Sequence, residues 1–179
     1  ITPRGHRTLR RRAMNAIARQ LSDRIRNELV MLQDVVAQGL RSWKKAKRIP
    51  DESAYLDSVA LNLHGFYAGV ERIFELVARH IDGSLPDGAT WHRDLLYQMT
   101  REVPGVRPAA ISDGTAESLD AFRRFRHLVR NVYTIQLDPE KMVDLVRNLP
   151  ILWSRLQAEL SAFADFLERL DRNHADSSS

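Results

Sequence analysis

The sequence predicts an all-α protein, an antiparallel bundle of about five to six helices. Apolar residues recur at steps of three or four along most of the 179-residue chain, which is the period of one helix face. No segment keeps the strict alternation of a half-buried strand, and no sequence repeat of about 20 to 50 residues is present. The 8 Gly and 7 Pro are mostly grouped in three short places, which leaves long uninterrupted helices between them.

The first two predicted helices have the longest apolar faces. The first runs over 17–47, and Pro50 ends it because proline disfavours helical backbone in the residue before it. The second extends over 51–81 and has an apolar face wide enough for the centre of a bundle. Gly65 and Gly69 lie four residues apart on that face, which predicts close packing against another helix.

Three further helical regions are predicted in the second half of the chain. A short one covers 90–103 and is followed by a break at 104–108, which contains two prolines and a glycine. A fourth helix covers 115–133. The last region covers 140–170, where Pro150 is expected to divide or kink the helix because it lacks a backbone N–H and crowds the preceding turn.

The composition limits the classes of function. The 27 basic and 23 acidic residues give a net charge of +4 and a pI near 9.7, a balance that suits nucleic-acid binding. The absence of cysteine excludes disulfides, thiol catalysis and thiolate zinc sites, and it favours a cytoplasmic protein. No apolar run approaches the roughly 20 residues of a membrane-spanning helix, so no membrane association is predicted.

No metal or cofactor is predicted either. The Glu-x-x-His pairs of di-iron bundles are missing, and Glu71 and Glu75 are interpreted as solvated or paired with Arg72 and Arg79. A nucleophilic serine in a Gly-x-Ser-x-Gly turn and a glycine-rich phosphate loop are also missing. The chemistry of this chain therefore has to come from other side chains.

A single domain is predicted over residues 14–172, since 179 residues suffice for one core. Residues 1–13 contain five arginines and no acid, and they are interpreted as a disordered basic leader or, alternatively, an RNA-binding arm. Residues 173–179 are polar and end in three serines, which predicts a disordered tail.

The most unusual segment lies on the fourth helix, at residues 126–133. It combines fixed charge, an imidazole, an amide and a phenol on an otherwise apolar helix. Arginine pairs in forked geometry with phosphate or carboxylate, so Arg126 and Arg130 predict an anionic partner or a deeply paired acid. Two interpretations are open: an exposed basic face opposite buried apolar residues, or a strip that binds phosphate. The basic face consists of Arg123, Arg124, Arg126 and Arg130, and its buried counterpart of Phe122, Phe125 and Val129.

This segment resembles the signature of the HEPN superfamily, and especially of HepT-like ribonuclease toxins. The signature is an arginine, a polar residue, three variable residues and a histidine, followed two residues later by a tyrosine. Arg126, His127 and Tyr133 match it, whereas Asn131 stands where the family has its histidine. The flanks resemble a HepT-like subfamily over roughly residues 55–170, at 63–67, 71–74, 91–92, 95–96, 104–108 and 137–138.

The resemblance implies a helical, HEPN-like protomer that forms a homodimer and brings two such segments together across a two-fold axis. It implies metal-independent cleavage of RNA in a toxin–antitoxin system, with Arg126, Arg123 and Arg130 on RNA phosphates. It also implies a partner, a minimal nucleotidyltransferase antitoxin that transfers AMP to the motif tyrosine, Tyr133, in an AMPylation reaction. The alternative for Tyr133 is an ordinary core residue.

Asn131 leaves open which side chain moves the proton. An amide cannot act as a general acid or base, and such catalysis contributes roughly 10²- to 10⁴-fold in rate. Either His127, one turn earlier on the same stripe, is the proton carrier, or the protein is a weak or inactive HEPN partner that binds the antitoxin. The predicted catalytic positions are therefore Arg126, His127 and Asn131.

Overall fold

A computed structural model describes residues 3–50, 52–130 and 139–175. In these ranges the chain forms five α-helices, and a π-helical turn, Ala78–Asp82, directly continues the second of them. The described residues contain no strand, and their single isolated bridge joins Val103 to Arg107. The predicted all-α helical bundle is confirmed. The helices are α1 (Pro3–Arg48), α2 (Ser53–Val77), α3 (Trp91–Gln98), α4 (Asp113–Arg130) and α5 (Pro139–Ala175).

Helices α1 and α5 pack side by side in opposite directions. The hydroxyl of Ser22, in the first half of α1, donates to the carbonyl of Ala164 at 2.9 Å. Further along α1, the side-chain oxygen of Gln33 accepts a hydrogen bond of 2.7 Å from the indole N–H of Trp153. Trp153 lies earlier in α5 than Ala164. Because the contacts move forward on one helix as they move back on the other, the pair is antiparallel.

Helix α2 also packs antiparallel against α1. The hydroxyls of Ser42 and Ser58 lie 2.8 Å apart near the connection between the two helices. At the far end of the pair, Arg72 donates to Glu28 at 2.6 Å. Helix α1 is therefore the element that joins α2 and α5 along most of their length.

The two glycines of α2 face α1 at different distances. A Cβ atom on Gly69 would lie 2.6 Å from Cδ2 of Leu32, a buried side chain, so only glycine fits there without a shift of the packing. A Cβ atom on Gly65 would lie 3.9 Å from Cγ1 of Val35, which is an ordinary contact. The predicted close helix packing is confirmed at Gly69 and is looser at Gly65.

The centre of the core joins α2, α4 and α5 through three aromatic rings. Phe66 meets Phe122 edge to face at 5.3 Å between ring centroids and Trp153 at 6.2 Å. Such pairs stabilise the fold beyond the area that they bury. Phe125 is also buried and Val129 packs partly buried against the core, so the predicted apolar face of α4 is confirmed.

The predicted start of α1 and the predicted end of α3 differ from the structure. Helix α1 begins at Pro3, earlier than the predicted start at residue 17; proline suits the first helical position, and most residues after it are good helix formers. Helix α3 ends at Gln98, because the next carbonyl, of Met99, accepts from the N–H groups of Ala110 and Ile111 in the following loop.

Helix α5 is continuous through Pro150, so of the two predicted effects, a division or a kink, the division does not occur. Proline removes one backbone hydrogen bond and crowds one preceding carbonyl. Here it lies on the exposed side of the helix, while Leu149 and Leu152 beside it are buried in the core. The burial of these neighbours holds the two halves of the helix on the same core.

A buried ion pair joins the connection between α3 and α4 to the π-helical turn that follows α2. Arg107 donates from Nε and Nη2 to the carboxylate of Asp82 at 2.6 and 2.8 Å, and none of its side chain is exposed. Its other three N–H groups donate to backbone carbonyls, so all five donors of this guanidinium are satisfied. These carbonyls belong to Gln98, Arg101 and Pro108.

None of the described helices combines the length and the apolar character that crossing a membrane requires. The predicted tail begins within α5, which continues to Ala175, and residues 176–179 lie outside the described residues. The division into one domain over 14–172 with two flanking segments stays a prediction.

Candidate functional site

Three helices meet at the buried carboxylate of Glu71 on α2. Only 5% of this side chain is exposed. Its Oε1 atom lies 3.1 Å from Nη2 of Arg126 on α4, and its Oε2 atom lies 2.6 Å from Nδ1 of His92 on α3. We call Glu71, His92 and Arg126 the Glu71 cluster.

Burial makes these partners necessary for Glu71. An ionised carboxylate in the interior costs several kcal/mol unless cations or hydrogen-bond donors surround it. The interpretation of Glu71 as solvated or paired with Arg72 is therefore wrong, since Arg72 pairs with Glu28 on α1. Glu71 follows Tyr67 by four residues, on the face of α2 that turns toward the core.

The neighbouring carboxylate on α2 behaves as predicted. Glu75 lies 3.5 Å from Arg79, four residues later, and more than half of the arginine side chain is exposed. Glu75 and Glu71 are one turn apart on the same helix, yet one pairs at the surface and the other in the interior. Glu75 is therefore a matched reference for Glu71.

His92 is held from two sides. A carboxylate only accepts hydrogen bonds, so the contact with Glu71 places the ring proton of His92 on Nδ1. Its ring also stacks on Trp91, with 3.6 Å between ring centroids and 29° between ring planes. About a fifth of the side chain is exposed, 20%. His92 could not be predicted as a site residue from the sequence, because its partner Glu71 lies 21 residues earlier and no local spacing links the two.

Tyr67 lies beside the Glu71 cluster and is buried. Burial, and then the negative charge of Glu71, raise the pKa of Tyr67 above its usual range, while Arg123 and Arg126 act in the opposite direction. Its phenol therefore stays neutral at physiological pH. The neutral hydroxyl of Tyr67 adds a polar group beside the Glu71 cluster without adding charge.

Asp120 forms ion pairs with two of the arginines on α4. Its carboxylate accepts from Nε of Arg123 at 2.7 Å and lies 3.5 Å from Arg124. Arg123 is mostly buried and Arg124 is exposed. With Arg126 paired to Glu71, the interpretation of an exposed basic face is wrong for Arg123 and Arg126 and is confirmed for Arg124.

One family model matches a large part of the chain. The sequence model described as HepT-like protein matches residues 58–167, which is more than half of the chain. The chain belongs to the HepT-like family. The matched range contains the whole Glu71 cluster, and the predicted resemblance to HepT-like proteins of the HEPN superfamily is confirmed. No curated protein and no solved structure matches the chain.

The structure of this HepT-like chain places only part of the motif. Arg126 is 16% exposed, and its Nε atom is buried without a hydrogen-bond partner among the described residues. His127, the next residue, is exposed on α4. Asn131, Tyr133 and the side chain of Arg130 lie outside what the structure describes.

The roles predicted for these motif residues stay predictions. Of the two partners considered for Arg126, a phosphate or a deeply paired acid, the structure contains the acid. Across residues 3–50, 52–130 and 139–175, no three His, Asp or Glu side chains are grouped in a way that could hold a metal ion.

Proposed function

We propose that this HepT-like protein is the toxin of a toxin–antitoxin pair, a cytoplasmic, homodimeric and metal-independent endoribonuclease. One observation carries the proposal. The motif arginine, Arg126, is held in place by a buried carboxylate inside the part of the chain that matches the family. A guanidinium fixed in advance stabilises charge on a phosphate without having to reorganise during the reaction.

The pairing with Glu71 is compatible with phosphate binding. The ion pair engages Nη2 of Arg126, whereas Nε, a forked donor in the same plane, has no partner among the described residues. Nε is buried, so we expect a phosphate to bind where 16% of the Arg126 side chain is exposed, since arginine presents several donors in one plane.

A dimer fits the spacing of the motif. Residues 126 and 131 lie about 140° apart around one helix, so they converge on one phosphate more easily from two chains than from one. We therefore expect the RNA site to be composite, with Arg126 of one protomer opposite residue 131 of the other. Arg123 and Arg130 are proposed to bind neighbouring phosphates, and for Arg123 this requires competition with Asp120.

Arg126→Lys is expected to lower the rate of RNA cleavage by about 10²-fold, because an ammonium lacks the planar fork that stabilises charge on the phosphate. Lysine keeps a positive charge beside Glu71, so the fold should be retained. The measurement is the initial cleavage rate of a defined RNA by purified, antitoxin-free protein. Thermal melting and sedimentation check the fold and the dimer.

Arg124→Lys is the matched control, because Arg124 lies on the same helix with 69% of its side chain exposed. Its rate should stay within about twofold of the wild type, as expected for an exposed arginine outside the fork. Folded, dimeric wild-type protein that leaves RNA intact would contradict the proposed function. Equal cleavage rates for Arg126→Lys and Arg124→Lys would contradict the proposal that Arg126 binds the phosphate.

Asn131 favours a second candidate function, a catalytically inactive HEPN partner. In this alternative the protein binds a minimal nucleotidyltransferase antitoxin and receives AMP on Tyr133. An amide does not act as a general acid or base near neutral pH, so Asn131, at the position of the family histidine, contributes no acid–base catalysis.

Asn131→His distinguishes the two functions. For an inactive partner, the natural chain should leave growth and RNA intact when expressed without the antitoxin, and Asn131→His should create toxicity. The gain would follow from the roughly 10²- to 10⁴-fold rate contribution of a proton carrier. Toxicity of the natural chain, or no difference between the two proteins, would count against the inactive partner.

A further inference from the structure

We propose that His92 is the catalytic proton carrier of this site and takes the place of the imidazole that is missing at position 131. The inference rests on the proposed ribonuclease function and assigns a residue to one of its steps. It starts from the hydrogen bond between His92 and Glu71, which belongs to the same cluster as the phosphate-binding Arg126.

The hydrogen bond selects one form of the ring. Nδ1 donates to Glu71 at 2.6 Å, so the neutral imidazole has its lone pair on Nε2. Among the described residues Nε2 has no hydrogen-bond partner, and it is not one of their buried unsatisfied atoms, so it faces solvent. A histidine that acts as a general base has this arrangement, with one ring nitrogen hydrogen-bonded to a carboxylate and the other accessible to the substrate.

The shared carboxylate places the base beside the phosphate-binding group. Arg126 and His92 contact the two oxygens of one carboxyl group, so their side chains are neighbours although they come from different helices. His127 is turned by about 100° around α4 from Arg126, and it is exposed. The geometry therefore favours His92 over His127 for a phosphate bound at Arg126.

The step balances without a metal or cofactor. Nε2 of His92 takes the proton of a ribose 2′-hydroxyl, and the 2′ oxygen forms a bond to the adjacent phosphorus. The bond from phosphorus to the 5′ oxygen breaks, and the proton passes through water from the imidazolium to the leaving 5′ oxygen. The products are a 2′,3′-cyclic phosphate and a 5′-hydroxyl end, and His92 is neutral again.

The charges around His92 come from its own helix and from the two helices packed against it. Glu71 stabilises the imidazolium that forms during the reaction, and Arg126 opposes it. Tyr67 is neutral, and Arg123 is paired with Asp120. Helix α3 itself carries Arg93 and Asp94, which lie 3.6 Å from each other.

The test compares His92→Asn with His80→Asn, a change at an exposed histidine of the π-helical turn after α2. The asparagine amide reproduces the donor at Nδ1, so the contact with Glu71 is retained, but it has no counterpart of Nε2. We expect His92→Asn to lower the cleavage rate about a hundredfold and to change the pH profile of the rate, because the variant lacks the proton carrier. His80→Asn should keep both the rate and the pH profile of the wild type.

The outcomes separate the inference from the function on which it rests. If the wild type cleaves RNA and His92→Asn cleaves equally well with an unchanged pH profile, the inference fails and the ribonuclease stands. Loss of activity in His127→Asn alone would also overturn it. If folded wild type does not cleave RNA, both fail.

A measurement on the unmutated protein covers the case in which His92→Asn does not fold. The ¹⁵N chemical shifts of the His92 ring report which nitrogen carries the proton in the neutral form. We expect the proton on Nδ1, and a shift of the Nε2 resonance when a 2′-deoxy RNA analogue is added. A proton on Nε2, or no response to the analogue, would overturn the inference.

Discussion

Arg107→Ala is expected to lower the free energy of unfolding by about 3–5 kcal/mol, because it removes one partner of a buried ion pair. Asp82, 5% exposed, would keep the amide of Gln98 at 2.7 Å as its remaining side-chain partner among the described residues. Three backbone carbonyls would lose a donor at the same time. Urea denaturation followed by circular dichroism measures this loss.

Arg147→Ala is the matched control for Arg107→Ala. Arg147 on α5 pairs with Asp144 at 3.1 Å, but 71% and 78% of the two side chains are exposed. Such a pair contributes about 1 kcal/mol or less. Arg107→Lys should also be less stable than the control, because an ammonium has three donors and the guanidinium uses five. Similar losses for Arg107→Ala and Arg147→Ala would contradict the structural role of the Asp82 pair.

Glu71→Ala is expected to lower the free energy of unfolding by about 3–5 kcal/mol as well. The substitution leaves the guanidinium of Arg126, 16% exposed, without its carboxylate. It also removes the acceptor of Nδ1 of His92 and replaces a buried side chain by a smaller one. Chemical denaturation measures the loss, and the order of the cluster can be followed by the ring resonances of His92.

Glu75→Ala is the control for Glu71→Ala. It removes the same chemical group from the same helix, one turn later, where the partner Arg79 is 56% exposed. The expected loss is about 1 kcal/mol or less. A loss at Glu75 as large as that at Glu71 would show that the contacts of Glu71 with Arg126 and His92 do not stabilise the fold.

The helices of this protein could be predicted because their pattern is local. Apolar residues at the helical period predicted α1, α2 and α5, and the same pattern predicted that Phe122 and Phe125 would be buried. The pair of glycines on α2 predicted a close approach that Gly69 makes to Leu32. Each of these predictions depends on residues within a few turns of one another.

The bounds that were predicted wrongly depend on packing. Pro150 has the sequence properties of a helix breaker, yet the buried leucines on either side keep α5 continuous. Helix α3 ends early because the loop before α4 folds back and takes the carbonyl of Met99. Local propensity does not include such contacts between distant segments.

The sequence by itself determined that this is an all-α, HepT-like chain and that Arg126 is its most informative arginine. The tertiary structure decided what surrounds that arginine. Glu71 and His92 come from two other helices, 55 and 34 residues away in the chain, so no spacing within one helix could have joined them. A buried carboxylate needs cationic or donor partners wherever the fold supplies them, and that requirement brings the three side chains together.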